Sequence, residues 1–114
     1  MDQIQAWFNR LMDIRNELSV LYITRLQCSE EYTVSHAEVS HANLIGSSDA
    51  VRKANVELAL AKSPIVTAAT MSLGRVEANI KCLEMQRDDI RLFMRCEIAR
   101  LSRESDEVSY RVIE

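Results

Sequence analysis

From Ala69 onward the chain repeats an apolar residue at alternating steps of four and three. The series runs Ala69, Leu73, Val76, Ile80, Leu83, Ile90, Met94 and Leu101, with Arg87 and Glu97 filling two gaps and Val108 continuing it. A 4-3 alternation places one stripe of a helix against a partner helix, the heptad seam of a coiled coil. The stretch Val66 to Arg103 is therefore predicted as one long helix. A second stripe accompanies it: Met71, Ala78, Met85, Leu92 and Ala99 recur every seven residues on the far side. A solvated coiled coil carries polar side chains there. A helix apolar on two faces needs more than one neighbour. Either it is the central helix of a monomeric bundle, or it belongs to a hairpin that completes its burial by self-association. With so few helices in 114 residues, the second reading is favoured.

The rest of the chain fits a hairpin. A first helix is expected from Asp2 to about residue 43, with a seam at Ile4, Trp7, Leu11, Ile14, Leu18 and Leu21. That seam weakens through Arg25, Cys28, Tyr32, Ser35, Val39 and Ala42. Between Leu18 and Leu26 nearly every side is apolar. Val20, Tyr22 and Ile23 would suit a strand, but the flanking helical period and the lack of a turn signal favour helix. Asn43 to Ser48 is the clearest break. Gly46 suits a helix C-terminus, Ser47 or Ser48 can cap the next helix, and Asp49 suits its first turn. A short helix follows over about 48–62, with Val51, Val56, Leu58, Ala59 and Leu60 as its apolar residues. Ser63-Pro64 then reads as an N-cap with proline at the first helical position. The long helix runs over about 64–110. The expected fold is an all-α, single-domain, long antiparallel helical hairpin, coiled-coil-like, with a short helix at the bend, and oligomeric. If Ile4 lies near Val108, Arg25 lies near Arg87. Glu84, Glu30 or Glu31 would then have to neutralise that layer.

Charge and composition narrow the function classes. The chain has two Gly and one Pro, and its 47% of hydrophobic residues include few aromatics, a composition of long helices. No apolar run approaches the roughly 20 residues that span a bilayer. The N-terminus lacks a basic and then apolar leader, so a cytoplasmic protein is expected. Cys28, Cys82 and Cys96 have no metal-type spacing and read as reduced, small, semi-buried residues. His36 and His41 are five apart and diverge on a helix, which argues against a shared metal. Asp88 and Asp89 point apart on neighbouring helical positions. No phosphate loop or nucleophile arrangement stands out, so neither a catalytic role nor a cofactor is expected.

Net charge is −3, unevenly spread. Residues 1–50 carry three basic and seven acidic side chains, residues 51–103 ten and six, and residues 104–114 one and four. The basic middle holds Arg52, Lys53, Lys62, Arg75, Lys81, Arg87, Arg91, Arg95, Arg100 and Arg103. Arginine binds phosphate well, and phosphate contacts supply most non-specific nucleic-acid affinity. The competing reading is that most of these cations pair with Glu77, Glu84, Asp88, Asp89 and Glu97 along the helix. Phe93 alone could stack a base in that stretch. The candidate nucleic-acid contacts are Arg52, Lys53, Lys62, Arg75, Arg91 and Arg95. The candidate oligomer contacts are Leu18, Tyr22, Leu26, Met71, Met85 and Leu92.

A bend reading Ser-Ser-Asp-Ala-Val-Arg-Lys-Ala-Asn, followed by a long helix rich in Ala, Leu, Glu and Arg and containing Gln-Arg-Asp-Asp-Ile-Arg, resembles the small helical-hairpin accessory proteins of tailed phages, recombination mediators among them. The resemblance covers roughly Ser47 to Arg100. It implies a ring-forming protein that binds single-stranded DNA and helps load a recombinase, with Arg52 and Lys53 as the best-matched basic positions. The acidic first helix and the few lysines depart from that pattern. The secreted hairpins of similar size need Trp-x-Gly at the bend, where this chain has Leu44-Ile45-Gly46. The leading expectation is a non-enzymatic oligomer that binds single-stranded nucleic acid and assists a recombination or replication protein. The alternative is a structural or adaptor coiled coil that binds a partner protein.

Overall fold

The computed structural model of the protein describes the backbone of residues 2–113 and the side chains of residues 2–106. Three helices account for nearly all of it: α1 (Asp2–Ala42), α2 (Asp49–Lys62) and α3 (Pro64–Ile113). No strand occurs among the described residues. The fold is an all-α helical hairpin with a short helix at the bend. The rival strand over Val20 to Ile23 is helix throughout, because the period on either side continues through it.

The chain divides into two compact units. One joins Met1–Ser19 to Lys81–Glu114, and the other is Val20–Ile80. In the first, α1 and α3 run antiparallel. Trp7 lies against Phe93 with ring centroids 6.1 Å apart, and Arg10 Nη2 donates to Gln86 Oε1 at 3.0 Å. Ile14 and Leu18 are the buried side chains of this α1 segment, 0% and 3% exposed. This register differs from the expected one, which would place Trp7 and Arg10 opposite about Ser105 and Ser102. The aromatic pair and the Arg10–Gln86 bond hold α1 further back along α3. Arg87 follows Gln86, so it faces the start of α1 rather than Arg25. It forms ion pairs along its own helix with Glu84 (3.8 Å) and Asp88 (3.2 Å). Arg25 is exposed, its guanidinium over the Tyr22 ring at 5.2 Å. The expected Arg25–Arg87 layer is thus corrected. Val108, where the seam was expected to continue, lies outside the described side chains.

The second unit contains the bend. Ser48 caps α2, its hydroxyl accepting from the Val51 N–H at 3.3 Å. Asn55 Nδ2 donates to the Ile45 carbonyl at 2.6 Å. Arg52 Nη1 donates to the Gly46 carbonyl at 3.0 Å while Nη2 pairs with Asp49. Gly46 lies beyond the end of α1 at φ +150°, and a Cβ there would come within 2.7 Å of Val51 Cγ1. Both facts require glycine at this position. Ser63 then caps α3, accepting from the Val66 N–H at 3.3 Å, with Pro64 as the first helical residue. Val66 and Ile80 are the buried apolar residues of this unit.

The α3 seam is laid out as its spacing predicts. Ala69, Leu73, Val76, Ile80, Leu83, Arg87, Ile90, Met94, Glu97 and Leu101 are all buried or half-buried, and between them only Glu84 joins that class. In α1, Ile4, Trp7, Leu11, Ile14, Leu18, Leu21, Cys28, Tyr32, Ser35 and Val39 are likewise buried or half-buried, but Arg10, Tyr22, Thr24 and His36 between them join that class. Arg25 and Ala42 are exposed instead.

Ile14 is the one fully buried large side chain among the described residues. Ile14→Ala should cost about 2–5 kcal/mol. Ile65→Ala, at a side chain 66% exposed, should stay within about 0.5 kcal/mol. Urea melts followed by circular dichroism would compare them, and equal losses would contradict the placement of the core.

Candidate interaction surface

Among the described residues only Ile14, Leu18, Val66 and Ile80 are buried apolar side chains. Sixteen large apolar side chains are exposed instead: they include Val20 at 63%, Ile23 at 59%, Leu26 at 70% and Ile45 at 68%. The outer stripe of α3 is among them, with Met71, Met85 and Leu92 exposed by half or more and Ala78 and Ala99 exposed as well. Scattered exposed hydrophobics are ordinary, but rows of them along a helix mark an interaction surface.

Of the expected oligomer contacts, Leu26, Met71, Met85 and Leu92 are therefore exposed. Tyr22 is half-buried beneath the Arg25 guanidinium. Leu18 is corrected: it is 3% exposed and filled into the chain's own core, so no second molecule can reach it. The wider expectation of burial all round between Leu18 and Leu26 divides in the same way, with one face inward and Val20, Ile23 and Leu26 outward.

The basic residues also divide. Arg52 is fixed between Asp49 and the Gly46 carbonyl, so it holds the bend and is not a free contact. Arg87 and Arg100 are ion-paired. Lys53, Lys62, Arg75, Lys81, Arg91, Arg95 and Arg103 are exposed, and none of them has a carboxylate within 4.0 Å among the described residues. Among the described residues, the pairing along the helix that would have absorbed most of these cations accounts for two of the ten, Arg87 and Arg100, and Asp49 takes a third, Arg52. Phe93 is half exposed and leans on Trp7 at 32°.

A groove of about 710 Å³ opens in the first unit, lined by Phe8, Leu11, Met94 and Ile98 together with Asp88, Arg91 and Arg95. Phe8 and Ile98 belong to neither apolar stripe of α3, so the heptad pattern alone does not point to it. The available signal was positional. Phe8 and Ile98 each follow a seam residue directly, so each sits on the flank of its helix. Cys28 is half-buried as expected, whereas Cys82 and Cys96 are exposed. His36 Nδ1 lies 3.4 Å from the Ser40 hydroxyl. No group of three or more metal-ligating side chains is found among the described residues. No described helix is long and apolar enough to cross a membrane.

At the far end of the seam Arg100 bridges Glu97 and Glu104, one turn to either side. The hydrogen bond from Arg100, with its charge beside it, holds the Glu97 carboxyl below the usual carboxylate range against a smaller opposing effect of burial. Arg100 is raised in turn, chiefly by the Glu97 hydrogen bond. A lowered carboxylate pKa stabilises the folded chain above the ordinary carboxylate pKa. That contribution is lost as pH falls through the depressed value.

No family model matches the chain, and no curated protein or solved structure is significantly similar to it.

Arg100→Ala should return the Glu97 carboxyl toward its ordinary titration range, read from its side-chain carbonyl shift by NMR. An unmoved titration would contradict the bridge.

Proposed function

We propose that the protein is a self-associating helical adaptor that works by binding and carries out no chemical step of its own. The observation that carries this reading is the imbalance, among the described residues, between four buried apolar side chains and the rows of exposed ones, above all Met71, Met85 and Leu92 on the outer stripe of α3. Exposed apolar area of this extent is stabilised by burial against another surface at roughly 25 cal/mol per Å². A second copy is the partner always present at equal concentration. The charge balance favours protein over polyanion as the primary partner, because the net charge is −3 and Arg52 is committed to the bend.

A second reading rests on a separate observation. Seven exposed cations have no carboxylate partner among the described residues and are available to phosphate, and assembly would multiply them over one particle. This is the reading that the resemblance to phage recombination mediators favours, with single-stranded DNA as ligand and a recombinase-like protein as the assisted partner. Lys53, Lys62, Arg75, Arg91 and Arg95 are its contacts. Cytoplasmic residence belongs with either reading.

Light scattering behind size exclusion, at several loading concentrations, tests the first reading. The expected mass is a multiple of the 13.0 kDa chain, falling on Met85→Glu or Leu92→Glu with helicity unchanged. A monomer at every concentration would sink it. Adding a labelled single-stranded oligonucleotide to the same runs tests the second. Co-elution at low salt that disappears at moderate salt and weakens in Lys53→Glu supports it, and no co-elution at low salt removes it.

A further inference from the structure

The groove of the first unit is lined by two exposed arginines and four apolar side chains, and the chain itself carries a helical stripe with the complementary chemistry. On α1, Ile23, Leu26, Glu30 and Val34 fall within about 80° of one another by helical geometry, and all four are exposed. Glu30 and its neighbour Glu31 have no cation within 4.0 Å among the described residues, just as Arg91 and Arg95 have no carboxylate. We propose that the groove lined by Phe8, Leu11, Met94 and Ile98 receives the Ile23–Val34 stripe of a second copy of this chain, with Glu30 and Glu31 of that copy paired to Arg91 and Arg95.

The spacing supports the match. Arg91 and Ile98 are seven residues apart on α3, and Glu30 and Ile23 are seven apart on α1, about 10 Å along either axis. The order is reversed, so a stripe running antiparallel to α3 sets Glu30 level with Arg91 at one end and Ile23 level with Ile98, with Arg95 four residues, about 6 Å, along from Arg91 and within a long side chain's reach of Glu30. At the other end it sets Ile23 and Leu26 over Met94 and Ile98, while Val34 falls toward Phe8. Asp88 does not oppose this, because its carboxylate is engaged by Arg87 Nε at 3.2 Å. A like-charged or purely polar stripe would meet an uncompensated pair of arginines over an apolar floor. The groove and the stripe are different surfaces, so the contact is heterologous. Each copy offers one of each, and contacts repeat until the arrangement closes on itself or continues as a filament.

This inference rests on the self-association proposed above and specifies one of its joints. Two charge-reversed variants test it by sedimentation velocity: Arg91→Glu/Arg95→Glu, which alters only the groove, and Glu30→Arg/Glu31→Arg, which alters only the stripe. All four residues are exposed, so circular dichroism should show unchanged helicity. Each variant alone should associate at least about tenfold more weakly than the natural chain, because like charges then face each other. Mixed in equal amounts they should recover association, since every contact between the two kinds of chain is again complementary. If both variants keep the natural mass while Met85→Glu or Leu92→Glu lowers it, self-association stands and this joint is wrong. Weakened variants that do not recover on mixing overturn the pairing. A natural chain that is monomeric throughout overturns both readings together.

Discussion

Two helices in contact share a seam only one stripe wide, and everything distinctive about this molecule follows from that geometry. A side chain at a seam position is covered from two directions. One a quarter-turn away is covered from one direction at most. Ile14, at the middle of the α1 stripe, reaches complete burial, while Phe8 on its flank remains half exposed. Hydrophobic residues beyond the seam have no place inside. The chain nevertheless carries many of them, arranged in rows, and their exposure is a property of the architecture rather than of any one substitution.

The bend is controlled by polar interactions in place of burial. Ser48 closes the N-terminus of α2, Arg52 links Asp49 to the Gly46 carbonyl, and Asn55 takes up the Ile45 carbonyl. Each bond satisfies a backbone or carboxylate group that a helix end would otherwise leave to solvent. Few apolar residues are available there, so specificity of direction comes from hydrogen bonds. Gly46 lets the chain approach Val51 closely enough for that set to form.

The sequence was most legible where period alone decides. The α3 seam from Ala69 to Leu101, the two N-caps at Ser48 and Ser63, and the proline start at Pro64 all follow from spacing and residue type. The alignment of α1 against α3 does not. A heptad stripe is compatible with several sliding positions, and the choice among them rests on particular contacts, Trp7 with Phe93 and Arg10 with Gln86, that no repeat encodes. Leu18 was misassigned for the reverse reason: an apolar run looks equally buried on all sides until the position of the partner helix selects one. Arg52 looked like a ligand contact because a sequence shows its charge but not the carbonyl it reaches. The unpaired cations were the opposite case: Lys53, Lys81 and Arg91 have acidic residues three or four positions away, yet form no ion pair among the described residues, because spacing permits a surface pair without enforcing it.

A core this thin also governs how the molecule responds to its surroundings. The heat-capacity change on unfolding and the sensitivity to denaturant both scale with the area newly exposed. In a chain with sixteen large apolar side chains already exposed among the described residues, that area is reduced. The curve of stability against temperature is then shallow, and denaturant acts over a broad range. Any further area covered by a neighbouring molecule adds directly to both quantities. If the protein associates as proposed, the melting transition would therefore steepen as the protein is concentrated and flatten as it is diluted.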